Sequence, residues 1–186
     1  MLDNPPIIRA ARIDDIAEIQ AIYAHYVVNG SASFEIVPPD LAEMVKRFEA
    51  IRARGFPYLV AEIDGRVAGY AYAGTYRARA AYDWAVEDSV YISPRHLGRG
   101  LGHGLLGELI ELCTQLGYRR MIAVIGDSAN LPSINLHLAM GFSHAGLLPS
   151  AGYKHGRWVD SLMMQRALGD GDTTHPMPIR TAPSEN

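Results

Sequence analysis

VEDSVYISPRHLGRGLGHGLL, residues Val86–Leu106, is the stretch whose reading decides the fold. From Val86 to Ile92 it alternates Val86, Asp88, Val90 and Ile92 against Glu87, Ser89 and Tyr91. It is rich in β-branched and aromatic residues, and so predicts a strand. Pro94, which has no N–H to give, ends the ladder. Gly98, Gly100, Gly102 and Gly104 follow, with Arg95, His96, Arg99 and His103 among them, before the apolar repeat of a helix begins. Strand, glycine-rich turn and helix N-terminus together make an anion cradle. Glycines let the backbone come close, and the unpaired N–H groups of the first helical turn face the negative charge.

Three cradles share that layout. A P-loop needs Lys-Ser/Thr after its last glycine, whereas Gly102 is followed by His103-Gly104. A dinucleotide turn closes the first strand of its unit and has an acidic residue about 20 positions on. Here the loop lies in mid-chain, and the next predicted strand, Met121–Ile125, ends without an acid. The third is Arg/Gln-x-x-Gly-x-Gly after a mid-chain strand, the pyrophosphate loop of acetyl-coenzyme A-dependent N-acetyltransferases.

The match extends from about Ile8 to Leu168. SFEIVPP (Ser33–Pro39), AYAGTYRARAAYDWAVEDSVYISPRH (Ala71–His96), GRGLG (Gly98–Gly102), VIGDSANLPSINLH (Val124–His137), MGF (Met140–Phe142) and AGYKHGRWVDS (Ala151–Ser161) carry it. On these segments the chain resembles the phosphinothricin and methionine sulfoximine/sulfone N-acetyltransferases, a branch of the Gcn5-related N-acetyltransferase (GNAT) superfamily. AYDW followed by VE-SVY, with GYKHG-W-D near the end, is more specific than the glycine loop. The loop departs from the pattern at its first position, which is Leu97 instead of Gln or Arg.

The resemblance implies a GNAT-type α/β fold, a mixed and mostly antiparallel seven-stranded sheet flanked by about four helices. Residues 1–168 would form one domain, and the Gly-, Asp-, Thr- and Pro-rich stretch 169–186 is expected to be a disordered tail. The residues themselves predict the elements. Ile7–Ala11 suits a first strand, and Asp14 is placed to cap a helix stopped by Asn29-Gly30. Pro38-Pro39-Asp40 opens a second helix with Leu41, Met44, Val45, Phe48 and Ile51 inward. Tyr58–Ile63 and Val67–Ala73 form a hairpin through Asp64-Gly65. Leu105, Leu106, Leu109, Leu112, Cys113 and Leu116 make the apolar stripe of the helix after the loop, with Gly117 as its cap. A short helix between Leu131 and Met140 and two final strands complete the chain.

The chain has 186 residues, enough for a single core, and 48% of them are hydrophobic. Lys+Arg 17 against Asp+Glu 20 gives a net charge of -3, so no general attraction to nucleic acid or anionic membrane is expected. MLDNPPII lacks the basic and apolar regions of a signal peptide, and a cytoplasmic location is expected. The single cysteine, Cys113, excludes an intrachain disulfide and a cysteine-based metal cluster; on an apolar helical stripe it reads as an inert thiol.

An acetyl thioester is already activated, so a transferase has only to hold it, free an amine, stabilise one oxyanion and protonate one thiolate. No metal is required. By resemblance, the backbone of Val90, Tyr91 and Ile92 bonds the pantetheine arm, and Gly98, Arg99, Gly100, Leu101, Gly102 and His103 take the pyrophosphate. Asn130 also bonds the arm. Glu87 is the expected base, directly or through a water; without the resemblance it would read as a solvated strand residue. His137, seven residues after Asn130, stands where much of the superfamily has a tyrosine that protonates the thiolate, and imidazole titrates close enough to neutrality to do the same. Arg77, Arg79 and Tyr82 share a loop, and two guanidinium groups suit the polar ends of an amino-acid analogue. Phe34 and Glu35 are expected in the same acceptor pocket. Tyr153, Lys154, His155 and Trp158 would line its far wall, form a dimer contact, or make a plain hairpin turn.

The expected function is acetyl transfer from acetyl-coenzyme A to the α-amino group of methionine sulfoximine, methionine sulfone or phosphinothricin, by a homodimer. Acetylation of another small amine or of a protein N-terminus is the alternative within enzymes. A non-catalytic coenzyme A sensor is the alternative outside them, disfavoured because a sensor needs no Glu87, His137 or loop arginines.

Overall fold

The computed structural model describes residues 5–179. Seven strands form one sheet in the order β1-β2-β3-β4-β5-β7-β6: β1 (Ile7–Ala10), β2 (Tyr58–Ile63), β3 (Arg66–Thr75), β4 (Ala85–Ile92), β5 (Arg120–Gly126), β6 (Ser143–Lys154) and β7 (Arg157–Ala167). Only the β4–β5 pair is parallel; every other neighbour is antiparallel. Four helices flank the sheet: α1 (Ile16–Asn29), α2 (Leu41–Ala53), α3 (Leu101–Leu116) and α4 (Leu131–Ala139). The expected architecture is the observed one.

Two apolar layers sandwich the sheet. On one face α3 buries Leu105, Leu106, Leu109 and Cys113 completely, against Val86, Met121 and Met164. On the other, Ile16, Ile19 and Val27 of α1 and Met44 and Phe48 of α2 pack on Tyr58, Val60 and Tyr70. Alternation along β4 divides its side chains accordingly. Val86 and Asp88 point into the α3 layer, while Glu87, Ser89 and Tyr91 share the other face with their cross-strand partners Gly74, Tyr72 and Tyr70. The Asp64-Gly65 turn has both φ angles positive, 50° and 74°, as its hairpin requires.

Two local expectations are corrected. Asp14 does not cap α1. Asp15 turns inward instead, and its carboxylate accepts from the Arg12 N–H at 2.7 Å and from Arg9 at 2.7 and 2.8 Å. Burial pushes that carboxyl's pKa up, but Arg9 and Arg12 outweigh it and hold it below the usual range. Leu41, expected inside, is 50% exposed because it is the first residue of α2, where Asp40 caps by accepting from the Glu43 N–H at 2.8 Å. In the stretch after Leu168, described through Ile179, carbonyls accept from side chains of the domain. Trp84 donates to Met177 at 2.9 Å and Arg119 to His175 at 3.1 Å. The remainder of the expected tail, 180–186, lies outside the described residues.

Candidate active site

The site begins where β4 leaves β5. Along its β3 side β4 is paired from Thr75↔Val86 to Gly69↔Ile92, but along its β5 side only from Ala85↔Arg120 to Asp88↔Ala123. From Ser89 to Ile92 one edge of β4 therefore has backbone groups with no strand partner, beside a gap lined by Ser89, Val90, Tyr91, Val124, Ile125 and Asn130. Such groups are costly to bury unpaired, and an extended amide-bearing chain fits them. Val90, Tyr91 and Asn130 thus line one gap. Ile92 packs against the core, and its carbonyl already accepts from the Tyr26 hydroxyl at 2.6 Å. Asn130 also caps α4, accepting from the Ser133 N–H at 3.4 Å.

The loop at the open end of the gap divides its glycines between two tasks. Gly98 and Gly100 have φ of 72° and 78°, with no atom near where a Cβ would stand, so the backbone is bare on that side. The Gly104 N–H makes the first helical bond, to the Gly100 carbonyl at 3.2 Å, and the N–H groups of Leu101, Gly102 and His103 precede it, available to an anion. The Leu101 side chain is buried in the core and anchors this turn. Gly102 serves packing, because a Cβ there would meet Leu136 of α4 at 3.1 Å. Arg99 and His103 are exposed beside the loop. A diphosphate joined to an extended amide chain matches this cradle and gap, which are the parts of a coenzyme A site.

Glu87 stands one residue before the last β4–β5 pair, half-buried on the aromatic face. Burial, then the neighbouring Asp88 charge, raises its pKa to about 7. Gly74 lies directly across on β3, with open space where its Cβ would stand. A base that ionises near neutrality, with room beside it, can take a proton from an amine at physiological pH.

His137 projects from α4 to the other face, 4% exposed, with the Phe142 ring edge-on at 4.9 Å. Both ring nitrogens are engaged, Nδ1 with the Ser133 carbonyl at 2.7 Å and Nε2 with Asp88 at 3.0 Å. Burial alone would lower its pKa; the Asp88 carboxylate reverses this and the net shift is upward. Glu87 and His137 thus lie on opposite faces of β4, at the closed end of the gap.

The irregular segment after α1 is tied down at several points. Ser31 donates to Asp127 at 2.9 Å, and Lys154, 3% exposed, donates to the Ser33 carbonyl at 2.6 Å. The Phe34 ring is seated between Gly126 and Gly152, where a Cβ at Gly152 would stand 2.2 Å from the ring. Glu35 accepts from Arg47 at 2.6 Å and from the Tyr23 hydroxyl at 3.0 Å, which makes it a brace between the segment and the two N-terminal helices. Ala32 of this segment lines the β4–β5 gap. Arg77 lies against both the Tyr76 and Tyr82 rings, 5.2 and 5.5 Å from their centroids, and Arg79 is exposed. Tyr153 and Trp158 stack edge to face at 5.3 Å and are 58% and 63% exposed, so the hairpin carries no buried tryptophan. Cys113 is fully buried, and burial followed by the Asp88 charge pushes its thiol well above the usual range.

Two participants were not singled out from sequence, and a third was given a different role. Asp88 had a visible signal, a charge in the apolar phase of β4 between Val86 and Val90. Lys154 was assigned to a wall or an interface, and its bond to Ser33 spans 121 positions with no local mark. Arg47 reads as one more charge on the outer face of α2, although it reaches Glu35.

The family model for an acetyltransferase (GNAT) domain matches residues 8–163. A phosphinothricin N-acetyltransferase of Alcaligenes faecalis is 53% identical over 91% of this chain and 86% of its own. An L-methionine sulfoximine/L-methionine sulfone acetyltransferase of Salmonella typhimurium is 39% identical over 88% of this chain and 95% of its own. Among solved structures, a phosphinothricin acetyltransferase from Sinorhizobium meliloti, in complex with acetyl-coenzyme A, superposes with a TM-score of 0.90 at 48% identity, covering 92% of this chain and 93% of that one.

Proposed function

Since the chain belongs to the GNAT acetyltransferase family and is an N-acetyltransferase that uses acetyl-coenzyme A, we propose that its acceptor is the α-amino group of methionine sulfoximine, methionine sulfone or phosphinothricin. Acetyl-coenzyme A supplies an acyl group already activated as a thioester. The first-turn N–H groups and bare glycines of 98–103 are suited to its diphosphate, and the free edge of Ser89–Tyr91 to its amide arm. Glu87 is placed to take a proton from the ammonium form of the acceptor. Such an amine titrates well above neutrality and attacks only when deprotonated. His137, at the closed end of the gap, is the group assigned to the departing sulfur.

The observation that carries this reading is the position of Glu87, half-buried with a pKa near 7, at the point where β4 and β5 part. Arg77 and Arg79 supply charge for the carboxylate and the sulfoximine or phosphinate end of the acceptor. Phe34, held on Gly126 and Gly152, forms an apolar wall, and Glu35 serves as the brace that holds this wall in place. The exposed apolar side chains of Leu147, Leu148, Tyr153 and Trp158 support a homodimer through the β6–β7 hairpin. No described helix is long and apolar enough to cross a membrane, which accords with the proposed cytoplasmic location.

Thiol release from acetyl-coenzyme A, measured across a panel of amino acids, sulfoximine and phosphinate analogues, polyamines and peptides, tests the acceptor. The highest kcat/KM should fall on the amino-acid analogues. A preference for peptides or polyamines would replace this acceptor class, and release with none of them would point to a binding protein.

A further inference from the structure

Asp88 and His137 form a buried pair, with side chains 2% and 5% exposed, on the wall of the β4–β5 gap. A carbonyl oxygen only accepts, so the 2.7 Å contact with Ser133 requires a proton on Nδ1 of His137. A neutral ring would then turn the bare lone pair of Nε2 toward Asp88 Oδ2 at 3.0 Å, so a second proton must lie between them. Asp88 Oδ1 has no hydrogen-bond partner among the described residues, which leaves His137 as the principal stabiliser of this carboxylate. Asp88 is also the last β4 residue in register with β5, so the pair marks the closed end of the gap. The stretch from Ser89 to Ile92 spans roughly 13 Å at about 3.3 Å per residue. An arm entering from the 98–103 loop therefore ends beside the pair.

Resting on the acetyl-transfer reading above, we propose that Asp88 is a positioning residue. Its carboxylate fixes the orientation of His137 and keeps it a doubly protonated imidazolium where the sulfur departs. The charge is then in place before the thiolate forms and needs no reorganisation at that moment. Without Asp88, burial is opposed only by the bond to the Ser133 carbonyl, and the ring is expected to be neutral at working pH. The titratable groups around the pair are few. Cys113, from α3, stays neutral, and Glu87 is next along β4 on the opposite face. Phe142 carries no charge, and its ring stands perpendicular to that of His137 at 4.9 Å.

NMR of ring-labelled histidine through pH 5–9, with coenzyme A affinity measured alongside, tests this without reference to turnover. In the wild type His137 should remain an imidazolium well above pH 6.5, and in Asp88→Asn it should titrate at or below that value. Turnover at pH 8 should fall by a factor on the order of 10–100, with KM for acetyl-coenzyme A changed less than about twofold. His137→Gln should lose as much, and the double variant little more. A neutral His137 in the wild type at pH 7 overturns the proposal even if Asp88→Asn does not fold, as does an unchanged titration in that variant. Failure of the wild type to bind coenzyme A would instead overturn the acetyl-transfer reading.

Discussion

Gly100 and Gly102 look alike in the sequence and do different work. At Gly100 the φ of 78° strains any side chain by about 1–2 kcal/mol, and the added atoms would stand on the bare side of the cradle. At Gly102 a methyl group presses on Leu136. Gly100→Ala should therefore raise KM for acetyl-coenzyme A at least several-fold, whereas Gly102→Ala should chiefly lower the melting temperature; equal effects on KM would remove the distinction. Arg77 and Arg79 were legible as a pair of guanidinium groups, but the aromatic contact of Arg77 was not. Truncating either to Ala removes charge-assisted bonds worth about 1.5–3 kcal/mol each, so acceptor affinity should fall roughly 10- to 150-fold with cofactor affinity unchanged. Titration calorimetry with both ligands separates that outcome from a general loss of structure.

At the scale of elements, local signals carried far. The alternation of 86–92, the Asp64-Gly65 turn, the helix start at Pro38-Pro39-Asp40 and the apolar stripe of α3 all stand where the residues placed them. The hidden part is what depends on distant chain. That Asp15 and not Asp14 secures α1 follows from Arg9, held by β1 and Glu62, and no local rule ranks the two acids. Pinning of 31–35 needs Lys154, Asp127 and the glycines at 126 and 152, all more than 90 positions away. Gly152→Ala, at a position where a Cβ would collide with Phe34, should displace that ring. Its expected signature is a several-fold rise in KM for the acceptor with little change in KM for acetyl-coenzyme A. A variant with the reverse pattern would take Phe34 out of the acceptor site.

For the molecule as a whole, the resemblance foretold the strand count and the mixed, mostly antiparallel sheet, while the placement of Glu87 and His137 on opposite faces of β4 emerged only from the folded sheet. The β6 strand is exposed along nearly its whole length, an unusual state for a long edge unless another chain covers it. Leu147→Asp combined with Trp158→Asp, which share a face of the hairpin, should shift sedimentation from dimer to monomer; a wild type that already sediments as a monomer would rule out the dimer. The raised pKa of Glu87 has a global consequence too. Its contribution to stability is fully present below its unfolded value of about 4.5 and is lost as pH rises through about 7, so Glu87→Gln should flatten the fall in stability toward pH 8. The most direct test of the account is the pH dependence of kcat/KM with methionine sulfoximine for wild type and Glu87→Gln. The wild type should show an acid limb near pH 7, and the variant should lose that limb together with a factor on the order of 10²–10⁴ in kcat while still binding acetyl-coenzyme A. A variant with near-normal turnover from pH 6 to 9 would contradict it.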